Sequence, residues 1–291
     1  MDNNKTKFIS VVIPAYNEED SISVLISKLK QFENILEIIV IDDGSSDNTS
    51  LKAEEAGATV IKQPYNIGNG AAIKKGILNA KGDYVLCMDA DLQHPPEEIP
   101  NMIKHSYKYD MIVGSRTSES GVSKFRGFGN FFLIKIAEFI SGYKIPDLTS
   151  GFRLINREKC LKVIHLFPNQ YSYPTTVTLA FFNNGYAIKY LPMKTITKRQ
   201  TGKSNIKPFR DGIRFIIIIL RIVMLFNPLK IFLPISFLMF LAGTIQSSYA
   251  IFFLKTGIKQ ASIIFFVSSI LILCFAMLAE QISQLRKNIY L

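Results

Sequence analysis

The sequence predicts an α/β domain with a mostly parallel, mixed sheet, followed by an interfacial amphipathic helix and a two-helix membrane hairpin. Three observations carry this reading. Short apolar, β-branched runs alternate with helical patterns over residues 8–88, the signature of a parallel sheet covered by helices on both faces. Polar and acidic clusters follow several of those runs directly. From residue 215 onward the chain is dominated by Ile, Leu, Phe and Val, and it contains two segments near the 20 residues that cross a bilayer. The expected divisions are an α/β domain over 1–205, an interfacial helix over 206–228, and two spans within 229–291.

The elements follow in order. Residues 8–13 read as a first strand ended by Pro14. Glu18-Glu19-Asp20 open a helical pattern that runs to Phe32, with the acids favourably near its N-terminus. Residues 35–41 form a second strand, ending in Asp42-Asp43-Gly44-Ser45-Ser46-Asp47. Asp47 is placed to cap a helix over 49–56. Residues 58–62 read as a third strand, and Asn66-Ile67-Gly68-Asn69-Gly70 lead into a helix through Ala80. The run from Tyr84 to Met88 is a fourth strand. It meets Asp89-Ala90-Asp91 and stops at Pro95-Pro96.

In an extended chain, residues i and i+2 project to one side, so Asp89 and Asp91 face a common volume. Two such carboxylates repel unless a cation lies between them. Mg²⁺ and Mn²⁺ accept carboxylate oxygens and share them with substrate phosphates. A lone Asp-X-Asp is weak evidence, because most copies are turn or cap residues. Its weight comes from Pro14-Ala15-Tyr16-Asn17-Glu18 and Asp42-Asp43, which also stand at strand C-termini, where parallel sheets bind ligands.

The chain has 291 residues and a formal charge of +11, which favours an anionic partner. Much of that charge lies near the apolar segments, and no nucleic-acid module is recognisable, so nucleic acid is not expected. Cys87, Cys160 and Cys274 are far apart, which speaks against a zinc site and fits a reducing compartment. The polar residues 1–7 lack the apolar core of a signal peptide.

The two spans are expected at about 229–254 and 260–281, joined by a tight loop carrying Lys255 and Lys259. Buried helices of a soluble protein are the blander reading, but the remaining chain is too small to surround them. Arg210, Arg214, Arg221, Lys230, Arg286 and Lys287 outnumber the loop lysines, placing both termini and the α/β domain in the cytoplasm. At about 100° per residue, Lys207, Arg210, Arg214 and Arg221 share one stripe of residues 206–226. Such a helix lies among headgroups and can draw in an anionic lipid phosphate; simple anchoring by snorkelling arginines is the plainer alternative. The spans also offer a surface for homo-oligomerisation.

Val12-Ile13-Pro14-Ala15-Tyr16-Asn17-Glu18-Glu19, Asp42-Asp43-Gly44-Ser45-Ser46-Asp47-Asn48-Thr49 and Asp89-Ala90-Asp91-Leu92-Gln93-His94-Pro95-Pro96-Glu97 resemble the ordered motifs of family 2 glycosyltransferases with the GT-A fold. Within that group the chain is similar to dolichyl-phosphate mannose synthases and bacterial polyprenyl-phosphate glycosyltransferases. Gly114-Ser115-Arg116, Asp147-Leu148-Thr149-Ser150-Gly151-Phe152-Arg153 and Arg199-Gln200-Thr201-Gly202-Lys203-Ser204 extend the resemblance over roughly residues 8–206. It implies that Pro14, Ala15, Tyr16, Glu18 and Asp42 surround the nucleoside, with Asp43 beside them and Ala90 in the donor site. It implies that Asp89, Asp91 and Gln93 hold Mg²⁺ or Mn²⁺ and the diphosphate. Arg116 and Arg126 would meet the acceptor phosphate, and Asp147 would lie near sugar and acceptor. Arg199, Lys203 and Ser204 would belong to a loop closing over the donor. Asp91, Arg116, Arg126, Asp147 and Arg199 are the residues implied to carry the chemistry.

The implied reaction moves a hexose from a nucleotide-sugar of GDP-mannose or UDP-glucose type to a polyprenyl or dolichyl phosphate, with inversion. An alcohol acceptor needs a general base. A lipid phosphate is already anionic, which suits a chain with several arginines and a poor base candidate. Processive polysaccharide synthases are excluded, because their QxxRW motif needs a tryptophan and the chain has none. The chain departs from the pattern at Asn130, where relatives often carry serine. It departs again over residues 171–178, where many place a glutamate and this chain offers Thr175 and Thr176. Bland readings stand beside these: Tyr16 packing on the domain edge, Asp42 or Asp43 as a helix cap, and His94, His105 and His165 as turn, surface or packing residues. The competing functions are transfer to another lipid acceptor and a non-catalytic scaffold that binds nucleotide-sugar.

Overall fold

The central strand β1 (Ile9–Ala15) runs parallel to both its neighbours, β2 (Ile35–Asp42) and β4 (Tyr84–Cys87). With β3 (Thr59–Lys62), β5 (Met111–Ser115), β6 (Arg153–Asn156) and β7 (Ile188–Pro192), they form a mixed sheet ordered β3-β2-β1-β4-β6-β5-β7. The computed structural model describes residues 8–116, 124–170, 173–193, 217, 220, 221 and 223–288. The chain divides into two compact units, Met1–Lys207 and Pro208–Leu291.

Alternation along β1 sends its side chains to two faces. Ile9, Val11, Ile13 and Ala15 join one core with Ile22, Leu25, Ile26 and Leu29 of α1 (Ile22–Leu29) and with Ile99 and Met102 of α4 (Ile99–His105). On the opposite face Val12 meets α3 (Asn69–Asn79) so closely that a Cβ on Gly76 would lie 2.2 Å from its side chain. Helices therefore cover both faces, and only glycine lets α3 approach β1 this closely.

Three boundaries differ from the sequence expectation. Pro14 does not end β1; the strand pairs on through Ala15, opposite Asp42. The ladder alternates sides, and Met88 N–H bonds Val12 O toward β4 whereas Asp43 N–H bonds Ala15 O toward β2. The Pro14 nitrogen thus faces β4 beyond that strand's last paired residue, where no donor is needed. The acids do not begin α1. Instead Glu18 O accepts from Ser21 and Ile22 N–H, while the Glu19 carboxylate reaches Asn48 and Lys52. Before α2 (Thr49–Glu55) the cap position belongs to Asn48, and Asp47 accepts from Thr49 N–H at 3.0 Å from one residue further back.

β6 is the strand that brings the site together. It runs antiparallel to β4 and β5, pairing Arg153 with Cys87 and with Val113. The turn just before it therefore lies at the C-terminal ends of β4 and β5, beside Asp89 and Arg116. α5 (Lys124–Ser141), α6 (Arg157–Val163) and α7 (Tyr173–Asn183) complete this unit.

The second unit is a helical hairpin, α8 (Leu229–Phe252) and α9 (Gln260–Asn288). Both helices are long and apolar enough to cross a membrane, and large apolar side chains such as Phe237, Phe252, Ile264 and Phe275 face outward. The seam between them is small and polar. Ser236 and Ser269 each donate to the other's carbonyl at 2.9 Å, and Gly243 admits Phe265 and Phe266. Without water to compete, close backbone approach and interhelical hydrogen bonds hold such helices together. Most of residues 206–222 lies outside the described residues; 217, 220, 221 and 223–226 are helical.

Candidate active site

The strand ends of β1, β2 and β4 build a shared rim. Asp42 and Asp43 are buried there. Asp42 accepts from Ser45 N–H at 2.8 Å and from the Ser50 hydroxyl. Asp43 accepts from Gln63 Nε2 and from Ile67 and Gly68 N–H, each at 2.8 Å. Both aspartates thus brace the loops around the strand ends, and helix capping does not account for them. Asn17 adopts φ +54° and ties the β1 end to the β2 loop through Ser45 and Ser46. Ala15 is buried, Pro14 and Glu18 are half-buried, and the Tyr16 ring is exposed at the edge of the rim.

Asp89 and Asp91 follow β4, with Ala90 buried between them. Asp91 Oδ1 accepts from Gln93 N–H at 3.2 Å. Leu92 sits at φ +59°, a conformation costly for a residue with a Cβ, and it turns the chain back on itself. That reversal carries His94 beneath Asp89, with Nε2 3.2 Å from Oδ2. Burial works to raise the Asp89 pKa, but the His94 contact, a hydrogen bond from Asn69 and the charge of Arg116 outweigh it, so the group is held below its ordinary value. The carboxylate stays ionised and its side chain remains 44% exposed.

The turn before β6 supports this site from beneath. A Cβ on Gly151 would lie 2.9 Å from Asp89 Oδ2, so glycine leaves the carboxylate room. Gly151→Ala should displace Asp89 and lower turnover by about 10- to 100-fold, the cost of an ångström-scale misplacement. Steady-state kinetics with a melting curve on the same sample check this; unchanged turnover in a folded variant would contradict it.

Asp147 and Arg116 form the second charged centre. Arg116 donates Nε to Asp147 Oδ2 at 2.8 Å and Nη2 to Oδ1 at 2.9 Å, a bidentate pair. Its backbone N–H also reaches Oδ2, and the Thr149 and Ser150 N–H groups reach Oδ1, each at 3.1 Å. Burial works to raise the Asp147 pKa, but Arg116 and these amides hold it low; the same pairing raises Arg116. Asp147 is therefore fully engaged in orienting Arg116, which is 36% exposed and can still turn an edge toward a ligand.

Arg153 and His94 play parts that the sequence did not reveal. Arg153 is fully buried and donates to Ser150 O, Leu148 O and the Thr178 hydroxyl at 2.6, 3.0 and 2.6 Å, pinning the Asp147–Gly151 turn. His94 was expected as a turn residue. The signal that could have revealed it is its spacing after Asp89, which a tight turn converts into contact. Thr175 and Thr176 are buried in α7. Gln93 is half-buried. Arg126 falls on α5 with its side chain outside the described set, and Arg199, Lys203 and Ser204 lie outside the described residues.

Residues 10–163 match the model for glycosyl transferase family 2, and residues 227–285 match that for the GtrB C-terminal hairpin. The chain is 34% identical over 198 residues to an uncharacterized protein of Methanocaldococcus jannaschii, covering 65% of this chain and 81% of that one. It is 40% identical over 165 residues to the undecaprenyl-phosphate 4-deoxy-4-formamido-L-arabinose transferase of Proteus mirabilis, covering 53% and 50%. The chain spans about half the length of the transferase relatives it matches. Among solved structures, glucosyl-3-phosphoglycerate synthase from Mycobacterium tuberculosis, in complex with Mn²⁺ and UDP-glucose, superposes with TM-score 0.59 at 22% identity, over 75% of this chain and 78% of that one. The strand-end rim, the Asp89-Ala90-Asp91 turn and a family model covering more than half the chain agree: this chain belongs to glycosyl transferase family 2.

Proposed function

We propose that the protein is a membrane-anchored glycosyltransferase that moves a hexose from a nucleotide-sugar to a polyprenyl phosphate at the cytoplasmic face of a membrane. The observation that carries this reading is the presence, in one chain, of an ionised Asp89 carboxylate followed by Asp91 at a GT-A rim and an apolar helical hairpin. The relatives named as undecaprenyl-phosphate transferases and the hairpin match support the lipid acceptor. Basic residues flanking the hairpin support cytoplasmic termini.

Asp89, Asp91 and the Gln93 amide supply only oxygen donors, which fits Mg²⁺ or Mn²⁺. Among the described residues no three His, Cys, Asp or Glu groups gather into a closed metal cage. When bound, such an ion neutralises charge that grows on the departing diphosphate. The rim from Pro14 to Glu18, with the loops braced by Asp42 and Asp43, would hold the nucleoside. Arg116, oriented by Asp147, would face the acceptor phosphate, with Arg126 adding a second cation. Arg199, Lys203 and Ser204 would close over the donor. A phosphate oxygen then attacks the anomeric carbon as the bond to the diphosphate breaks, inverting that carbon without a protein base.

The test uses the full chain in detergent with Mn²⁺ or Mg²⁺, undecaprenyl or dolichyl phosphate, and labelled UDP-glucose, UDP-N-acetylglucosamine and GDP-mannose in parallel. Label should enter the organic phase from one donor, disappear with EDTA, and be released by mild acid. Label carried by a different lipid would replace the acceptor. Nucleotide binding without any labelled lipid would favour the scaffold reading.

A further inference from the structure

We propose that His94 is a positioning residue for the Asp89 carboxylate: it fixes Oδ2 by donation from Nε2 and so holds the carboxylate in one orientation at the ligand site. This rests on the reading of Asp89 as part of the metal–diphosphate site. Four features of the structure carry it. First, the Nε2–Oδ2 separation of 3.2 Å joins residues only five apart, across the turn made by Leu92 at φ +59°. Second, the ring is buried and stacks on Phe152, with centroids 5.2 Å apart and planes within 10°. Third, His94 Nδ1 is buried with no hydrogen-bond partner, so the proton belongs on Nε2, where an acceptor waits. Fourth, Gly151 lies against the same carboxylate, with its would-be Cβ 2.9 Å from Oδ2 and 3.3 Å from Oδ1.

The physical consequence is directional. A free aspartate rotates both oxygens between solvent and ligand. Here Oδ2 is committed to a donor whose ring cannot tilt without losing its stack. Outer groups of this kind set the orientation of metal-binding carboxylates, and their loss typically costs about 10- to 100-fold in metal affinity. Phe152 belongs to the same turn as Asp147. One backbone segment therefore orients Asp89 through His94 and Arg116 through Asp147.

The experiment measures Mn²⁺ binding to the full-length protein by the paramagnetic resonance signal of the free ion, with UDP and with GDP in parallel. His94→Phe keeps an aromatic ring against Phe152 but has no donor. His94→Gln restores a donor at similar reach. Asp89→Ala tests the underlying site. Mn²⁺ affinity should fall about 10- to 100-fold in His94→Phe and return to within a few-fold of wild type in His94→Gln. Wild-type affinity in His94→Phe, with loss in Asp89→Ala, overturns the role of His94 and leaves the site standing. Equal loss in the Phe and Gln variants also overturns it, because a donor restored at similar reach would then make no difference. Wild-type affinity in Asp89→Ala overturns the site itself.

Discussion

Asp91→Ala should abolish sugar transfer, by on the order of 10³-fold or more, while leaving the protein folded. Three or more powers of ten correspond to about 4 kcal/mol of lost transition-state stabilisation, the scale expected for a carboxylate that helps hold a Lewis acid at a leaving group. The fold should survive for a local reason. Asp91 is half-buried at a rim, and its hydrogen bond to Gln93 N–H lies within the same turn. Asp89, by contrast, is tied to His94 and lies against Gly151, so its loss would disturb more than the ligand set. Asp91 is thus the cleaner probe. Labelled transfer and a melting curve on one preparation check it. Transfer within tenfold of wild type, at an unchanged melting temperature, would sink the metal assignment.

The parallel half of the sheet was legible because each strand is an apolar run bounded by turn residues, and because ligands gather where such strands end. The hairpin was legible for a similar reason, since apolar length alone marks a span. α8 stops at Phe252 and α9 continues to Asn288, so the ends shifted while the spans stayed. What composition did not reveal is β6. Its four residues begin with Arg153 and end with Asn156, a pattern that does not look like a buried central strand. Arg153 is nonetheless fully buried, satisfied by two carbonyls of the turn that precedes it and by the Thr178 hydroxyl, which α7 brings from 25 residues away. The roles of Asp42 and Asp43 were obscured likewise. Read singly they look like caps, yet their donors come from loops up to 25 residues away.

Asp147→Ala should be the most destabilising change at the site, by about 3 kcal/mol at neutral pH. Removing one partner of a buried ion pair costs roughly 3–5 kcal/mol, because the remaining charge and amides lose their acceptor. The lower end is expected because Arg116 is 36% exposed and water can screen it. The pH dependence gives a sharper test. The folded-state pKa of Asp147 lies below its unfolded value of about 3.9. Its stabilisation is therefore complete above that value and lost as pH falls through the lower, folded one. Asp89 is depressed as well, but wild type and variant share it, so it largely cancels in their difference. The gap in melting temperature should stay constant from about pH 5 to pH 8 and narrow below about pH 4. A gap unchanged down to pH 3 would mean that the ionised carboxylate is not what the turn depends on. Adding Arg116→Ala to Asp147→Ala should cost less than Arg116→Ala alone, because residues that share one hydrogen-bonded network do not add. Additive losses would separate the two residues and remove Asp147 as the group that orients Arg116.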